Sequence, residues 1–451
     1  MAAFSRADGD LADELYELVR ELYPICRSIT GDGVRATLRI LDKVAPMEIQ
    51  EVPSGTSVLD WTVPPEWNIR EAFIEDPSGR RVIDFAECNL HVVSYSVPVD
   101  ETISLDALRP HLHTLVDRPD VIPYRTSYYD EDWGFCLSQR QMDALAPGDY
   151  RVRIDSSLQP GSLTYGEIVI PGELGDEILI STHVCHPSLC DDNLSGIAVS
   201  VFLARQLMSQ RPRHTFRFLF GPGTIGSITW LARNRATASR VRHGLTLTCL
   251  GDAQPFTYKK TVAGNALIDR ASAHALTSHG ATNNLIEFFP YGYDERQFNS
   301  PGFRLPVGSL MRGRHGQFPE YHTSADNLEF VSGPHMAESF DVLASILEIV
   351  DGDRVLRNLQ PFGEPQLGRR GLYAAMGGRD VADAQLAMLW ILNLSDGRQS
   401  LLDIAERSHI DFPTIAATAA LLEEHQLLDE VAVSAATPPV QIGDDRADRY
   451  R

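Results

Sequence analysis

The hydrophobic pattern changes character along the chain. Leucine and isoleucine recur at helical spacing over residues 10–45, which predicts two helices separated by the turn "TGDG". Residues 48–155 instead alternate apolar and polar positions between breakers such as "DPSG", a pattern typical of short strands and hairpins. Aromatic residues, Tyr124 and Tyr128 among them, are frequent there. We therefore predict a small β-rich domain inserted after the first two helices.

Strand-like and helical runs alternate over residues 160–355. The strand-like runs include "EILIST", "TFRFLFGP" and "GLTLTCLGD", and the helical runs include "GIAVSVFLARQLM" and "MAESFDVLASILEIV". This alternation predicts an α/β fold with a mixed, largely parallel sheet flanked by helices. Ligand sites in such folds lie at the carboxyl ends of the strands.

The last part of the chain reads as helix, turn, helix, turn, helix and a short extended end, which is typical of a winged-helix-like module. From Arg379 to Glu430 it holds ten acidic residues, three arginines and no lysine. DNA binding needs the opposite charge, so we expect a protein partner or a homo-oligomer contact here instead. The predicted domains are residues 1–47 with 156–365, the insertion 48–155, the winged-helix-like unit 370–435, and a disordered tail 436–451.

Composition and charge restrict the partners and the cellular location that we expect. The formal net charge of −21 over 451 residues argues against nucleic acid or an anionic membrane as a partner. We find neither a basic-then-apolar signal segment nor an apolar run near the ~20 residues of a membrane span. The six cysteines form no C-x-x-C pair and are expected to be reduced thiols. We therefore expect a cytoplasmic protein.

Candidate metal ligands concentrate in "THVCHPSLCDDNLSG". His183 and His186 follow a predicted strand, and Asp191 and Asp192 precede a predicted helix. Imidazole and carboxylate together suit zinc or a similar divalent ion, although such residues also serve as helix caps and polar loop residues.

Two further stretches carry one candidate each. His322 lies in the loop "PEYHTSADNLEF", and Asp252 ends the strand-like run "LTLTCLGD". Taken alone, His322 reads as an ordinary hydrogen-bonded histidine and Asp252 as a turn former.

These motifs, together with "TIGS", "GDAQPFTYKKT" and "DERQFNSPGFRLPVGSLMR", resemble the zinc aminopeptidase family. More closely, nearly the whole chain resembles bacterial polysaccharide-biosynthesis proteins that have an aminopeptidase-like domain and a C-terminal winged helix. The resemblance implies that Asp192, His322 and Asp252 bind zinc. For the first ligand histidine, strand alignment favours His183 and the "CHPS" signature favours His186. We predict His186, with His183 as the alternative.

The chain departs from the family at the catalytic acid. Zinc aminopeptidases carry a Glu-Glu pair, a general base followed by a metal ligand. The closer subfamily resembles Pro-Glu-Thr-Ile-Gly-Ser, which keeps the base and replaces the ligand by Thr, whereas this chain has Gly223 and Thr224. The resemblance therefore implies one zinc ion per chain and a base supplied from elsewhere. Candidates near the motifs are Asp191, Glu295 and Glu320.

Substrate contacts are expected from "YGYDERQF". Asp294 could hold an ammonium group and Arg296 a carboxylate, and Tyr321 and Thr224 complete the predicted set; the alternative is a solvated run of charges. We predict a metal-dependent enzyme that hydrolyses or transfers an amide bond of an aminoacyl or peptidyl small molecule, in polysaccharide or secondary-metabolite biosynthesis. The competing interpretation is an inactive aminopeptidase-fold binding module that recruits a partner through its C-terminal domain.

Overall fold

The computed structural model describes residues 9–280, 283–372 and 380–431. An eight-stranded sheet forms its centre, and its middle four strands are parallel, as predicted. The edge strands add antiparallel pairs. The strand order is β1 (Glu48–Pro53), β10 (Ser162–Ile170), β12 (Thr215–Gly221), β11 (Glu177–His183), β13 (Val241–Leu247), β16 (Val307–Met311), β14 (Phe256–Lys259) and β15 (Asn283–Ile286).

Helices cover both faces of this sheet, because its central strands are apolar on both sides. On β11, Ile178 and Ile180 pack into one core cluster and Leu179 into the other. The first cluster is closed by α1 (Gly9–Leu22), α2 (Asp32–Val44), α5 (Gly196–Leu207), α8 (Leu267–Ser278) and α10 (Gly333–Gly352). The second is closed by α6 (Ile225–Arg233), α7 (Arg235–Ala238) and α9 (Glu295–Phe298).

The inserted unit has a four-stranded antiparallel sheet of its own and a separate apolar core. One boundary differs from the prediction: β1, which we placed in the insertion, pairs with β10 in the main sheet. Its alternating pattern predicts a strand but does not identify the partner strand. The unit comprises β4 (Glu66–Glu75), β5 (Arg81–Asp84), β6 (Val99–Ser104), β9 (Asp149–Gln159), the short pairs β2 (Ser57–Val58) with β3 (Trp61–Thr62) and β7 (Leu112–His113) with β8 (Phe135–Cys136), and the short helices α3 (Leu105–Leu108) and α4 (Gln139–Asp143).

The C-terminal unit has three helices and a small sheet. Its strand β17 (Val355–Asn358) directly follows α10, so this unit begins earlier than predicted. The predicted tail 436–451 lies outside the described residues. Within those residues, no helix is long and apolar enough to cross a membrane. The remaining elements are α11 (Asp380–Leu394), β18 (Asp396–Ser400), α12 (Leu401–Ser408), α13 (Phe412–Glu424) and β19 (Leu428–Glu430).

Candidate metal centre

A buried carboxylate lies between two histidines at the carboxyl end of the main sheet. Asp192 belongs to the turn between β11 and α5, and each oxygen of its carboxylate contacts one histidine. The Nε2 atom of His183, the last residue of β11, lies 2.8 Å from Asp192 Oδ1. The Nε2 atom of His322 lies 2.9 Å from Asp192 Oδ2. Burial alone would raise the pKa of the fully buried Asp192, but His186, then His183 and His322, hold that pKa well below its usual range.

A third histidine adjoins this group. The ring of His186 is 5.0 Å from those of both His183 and His322. Ligand atoms of His183, His186 and Asp192 all lie within 4.8 Å of one another. Burial lowers the pKa of His186 well below its usual value, which favours the neutral imidazole that a metal requires. Both members of the His183 and His186 alternative therefore lie at the same place.

The loops that carry these ligands are anchored by buried groups. Asp326 accepts hydrogen bonds from the backbone N–H groups of Asp191, at 2.6 Å, and Asp192, at 3.0 Å. The buried Arg27 donates from Nε to the carbonyl oxygen of His186 at 3.0 Å. Ligands held by such partners are oriented before a metal arrives.

Asp252, which the resemblance assigns to the metal, is engaged elsewhere. Its carboxylate accepts from the backbone N–H groups of Gln254, at 2.7 Å, and Gly313, at 3.1 Å. The tight cluster of donor atoms in the described residues, His183, His186 and Asp192, contains neither Asp252 nor His322. His322 nevertheless contacts Asp192 directly, whereas the described contacts of Asp252 are made elsewhere. Asp191 is fully buried behind that cluster, and burial beside Asp252 raises its pKa well above the usual value.

A tyrosine fills the space where the resemblance to zinc aminopeptidases would place a catalytic acid. A Cβ atom added to Gly223 would lie 2.5 Å from Cε1 of Tyr293. The Tyr293 ring stacks on His183, with 3.8 Å between ring centroids, and its hydroxyl is 3.3 Å from His186 Nε2. Gly223 thus leaves room for a side chain that approaches from another part of the chain.

Asp294 anchors the start of α6. Its Oδ1 atom accepts from the backbone N–H of Thr224, at 2.8 Å, and from Ser227 Oγ, at 2.9 Å. Burial raises the pKa of Asp294 to about 6. Asp294 therefore has a local structural partner in place of the substrate ammonium that we expected it to hold.

The other predicted residues are dispersed. Glu295 is fully buried in an ion pair with Lys259, at 2.5 Å, whereas Arg296 is exposed on α9. Tyr321 stacks on His322, with 4.0 Å between ring centroids. His186 and His322 line a cavity, which we call the metal-side cavity. Of the residues described, its lining includes Thr224 but none of the three base candidates Asp191, Glu295 and Glu320.

The metal-side cavity has a volume of about 560 Å³, and the inserted unit forms much of its wall. Tyr124 packs its ring edge-on against His186 and His322, with centroids 5.0 and 5.1 Å away, and its backbone N–H donates to the carbonyl oxygen of His322 at 2.8 Å. Sequence reasoning missed these residues, and the frequent aromatics were the one signal for them. Those lining the cavity include His113, Tyr124, Arg125, Tyr128, Asp130 and Asp132.

Two family models match the chain. The family described as a domain of unknown function, DUF4910, matches residues 16–353. A winged helix-turn-helix model matches residues 354–430 and thus begins next to β17.

Two relatives match nearly the whole chain. A Clostridium acetobutylicum protein, provisionally named a polysaccharide biosynthesis protein with aminopeptidase-like domain, is 51% identical over 421 residues, which are 93% of this chain and 97% of that protein. A crystal structure of a provisionally assigned peptidase from the same organism has a TM-score of 0.89 at 50% identity, covering 94% of this chain and 97% of its own.

More distant structures share the fold alone. A zinc aminopeptidase from Bacillus subtilis has a TM-score of 0.55 at 14% identity, covering 75% of this chain and 95% of its own. The predicted aminopeptidase-like α/β fold with a C-terminal winged helix is therefore confirmed. With three quarters of its length matched by one family model and a relative at 51% identity, this chain belongs to the DUF4910 family of proteins with an aminopeptidase-like domain.

Proposed function

We propose that this chain is a zinc-dependent enzyme that acts on an amide bond of an aminoacyl or peptidyl small molecule. The observation that carries the proposal is Asp192, whose two oxygens each face a histidine while a third histidine adjoins them. Imidazole and carboxylate donors this close together, all buried except the partly exposed His322, match the ligands that zinc prefers. The names of the Clostridium relative and of the distant zinc aminopeptidase support this choice and suggest polysaccharide biosynthesis as the setting.

The donors proposed to hold the ion are His183, His186, Asp192 and His322. Asp252 is left out because, unlike His322, it has no described contact with Asp192, and its carboxylate accepts from backbone N–H groups instead. When bound, zinc supplies a Lewis acid that polarises a carbonyl group. The inserted unit forms a wall of the cavity beside the ligands and presents the Tyr124 and Tyr128 hydroxyls, 2.9 Å apart, as hydrogen-bonding groups for a substrate.

The absence of a general-base glutamate at Gly223 affects whether hydrolysis or acyl transfer is favoured. A general base contributes ~10²- to 10⁴-fold to the rate of attack by water, and Gly223 offers none. A neutral amine attacks without that assistance: its new C–N bond replaces the C–N bond of the amide, and the proton that it gives up leaves on the departing amine. The Gly223 and Tyr293 arrangement therefore favours transfer of the acyl group to a substrate amine over hydrolysis.

Zinc content tests the proposed site. Protein purified without chelator is measured by elemental analysis beside Asp192→Ala and His322→Ala, with His425→Ala in the C-terminal unit as the matched control. We expect about one zinc per chain in the wild type and the control, and loss from the two site variants. A wild-type protein that contains no zinc and takes none up contradicts the proposal.

Activity is tested separately with aminoacyl amides, in the presence and absence of a small primary amine. Formation of the new amide, faster than release of the free acid, supports transfer. Tyr293 in the place of a catalytic acid equally suits a binding module. Zinc retention without turnover of any aminoacyl amide favours that second function.

A further inference from the structure

A second cleft lies beside the metal-side cavity. It consists of two adjoining hollows of about 230 and 390 Å³ that share Ile286, Arg314 and Gln317. The segment 291–293 separates it from the metal, because Tyr291 lines this cleft whereas Gly292 and Tyr293 line the metal-side cavity. The cleft is therefore next to the proposed reaction centre without being part of it.

The cleft is positively charged in an acidic protein. The chain carries a formal charge of −21, yet no aspartate or glutamate of the described residues lines either hollow. Lys259 and Arg312 do line it, but each is neutralised, by Glu295 and Glu338 respectively. Arg314 forms no side-chain hydrogen bond or ion pair with the residues described and leaves its charge for a ligand.

A buried nitrogen in the same cleft lacks a partner. His315 is only 8% exposed, and its Nδ1 atom has no hydrogen-bond partner in the described part of the chain. Such a group is costly to bury unless a ligand satisfies it. Tyr291, whose ring is 6.2 Å from that of His315, and Phe289, 6.0 Å from the Arg314 guanidinium, add aromatic surface at 61% and 45% exposure.

We propose that this cleft binds an anionic group, a carboxylate or a phosphate, on the substrate. The proposal rests on the proposed function, which it refines: the amide lies at the metal-side cavity, and the anionic end of the same molecule extends past segment 291–293 to Arg314 and His315. Guanidinium groups bind both anions through paired N–H donors. Arg314 takes the role that we expected of Arg296, which is exposed and lines neither cavity.

The test is titration calorimetry with two separate probes, sodium phosphate and glutarate. It compares the full-length wild type with Arg314→Gln and with Arg296→Gln, an exposed arginine that serves as the matched control. We expect one probe to bind the wild type and the control alike, and to bind Arg314→Gln at least about tenfold more weakly. The probe that binds, phosphate or glutarate, shows whether the site prefers a phosphate or a carboxylate.

Two results would overturn the proposal: no saturable binding of either probe to the wild type, or equal affinities of Arg314→Gln and Arg296→Gln. Zinc content is measured on the same three samples. If none of the samples contains zinc but Arg314→Gln binds the probe more weakly, the anion site stands and the zinc enzyme is refuted. If the samples contain zinc but Arg314→Gln binds the probe as tightly as the wild type does, the zinc site stands and the anion site is refuted.

Discussion

Replacing Gly223 with alanine tests whether Tyr293 truly excludes a side chain from that position. The new Cβ would lie 2.5 Å from Cε1 and 2.9 Å from Oη of Tyr293, whereas carbon atoms normally approach to about 3.5–4.0 Å. The ring must therefore shift by roughly 1 Å, and His183, stacked on it at 3.8 Å, blocks one direction. Overpacking of this kind costs about 1–3 kcal/mol, so we expect Gly223→Ala to lower the free energy of unfolding by about 2 kcal/mol.

A double-mutant cycle with Tyr293→Ala isolates that contact. Once the ring is removed, the added methyl group meets open space, and we expect a coupling energy of about 1–2 kcal/mol. Gly221→Ala is the matched control, because its Cβ would meet its nearest neighbour, Tyr165 Cβ, at an ordinary 3.4 Å. The free energies come from urea-induced unfolding followed by circular dichroism.

The reasoning fails if Gly223→Ala costs as much in the Tyr293→Ala background as in the wild type. It fails equally if Gly223→Ala is no more destabilising than Gly221→Ala. A further consequence concerns restoration of the family's acid. Gly223→Glu alone has no room, so any gain in hydrolysis of aminoacyl amides is expected only together with Tyr293→Ala.

Three other predictions concern the metal centre and its surroundings. Tyr124→Ala removes the ring packed on His186 and His322 and should weaken zinc binding about tenfold in a competition with a chromophoric chelator, whereas Tyr124→Phe should not. Burial raises the pKa of Asp294 to about 6, so the folded state favours the protonated form of this group. As the pH rises from about 4 to 6, ionisation of Asp294 should therefore lower the free energy of unfolding of the wild type, by roughly 3 kcal/mol at most. Asp294→Asn should remove that loss in urea unfolding at pH 4.5 and 7, and identical pH dependences would contradict the assignment. Chelation should lower the Tm of the wild type but not of Asp192→Ala, because zinc at a hundred times its Kd adds about 2.7 kcal/mol.

Local patterns identified much of the fold and part of the centre. Alternating strand and helix runs predicted the main sheet, and the motif after β11 supplied the candidates His183, His186 and Asp192. We preferred His186, although His183 is the histidine that ends β11 and contacts Asp192. The family resemblance added His322, whose position next to Asp192 no local pattern reveals across 130 residues. These candidates lie together because strand ends in such sheets converge on one edge, and their role as zinc ligands remains a prediction.

Tertiary contacts account for what sequence reasoning missed. "YGYDERQF" reads as a surface run of charges, yet Asp294 and Glu295 are buried because Thr224 and Lys259, distant in sequence, complete their hydrogen bonds. The roles of Tyr124 and Arg314 likewise depend on which loops lie together. Propensity and periodicity describe a segment alone and do not reveal the residues that approach it from elsewhere in the chain.

The short backbone pairing between the insertion and the His322 loop limits how the protein can be recombined. Pro123 bridges Thr323, the Tyr124 N–H bonds to His322, and the Ser324 N–H bonds to the carbonyl oxygen of Ile122. The insertion therefore cannot be exchanged between proteins on its own. A chimera that takes this unit from a relative should also take residues 319–327 from it, so that the two paired segments come from the same protein.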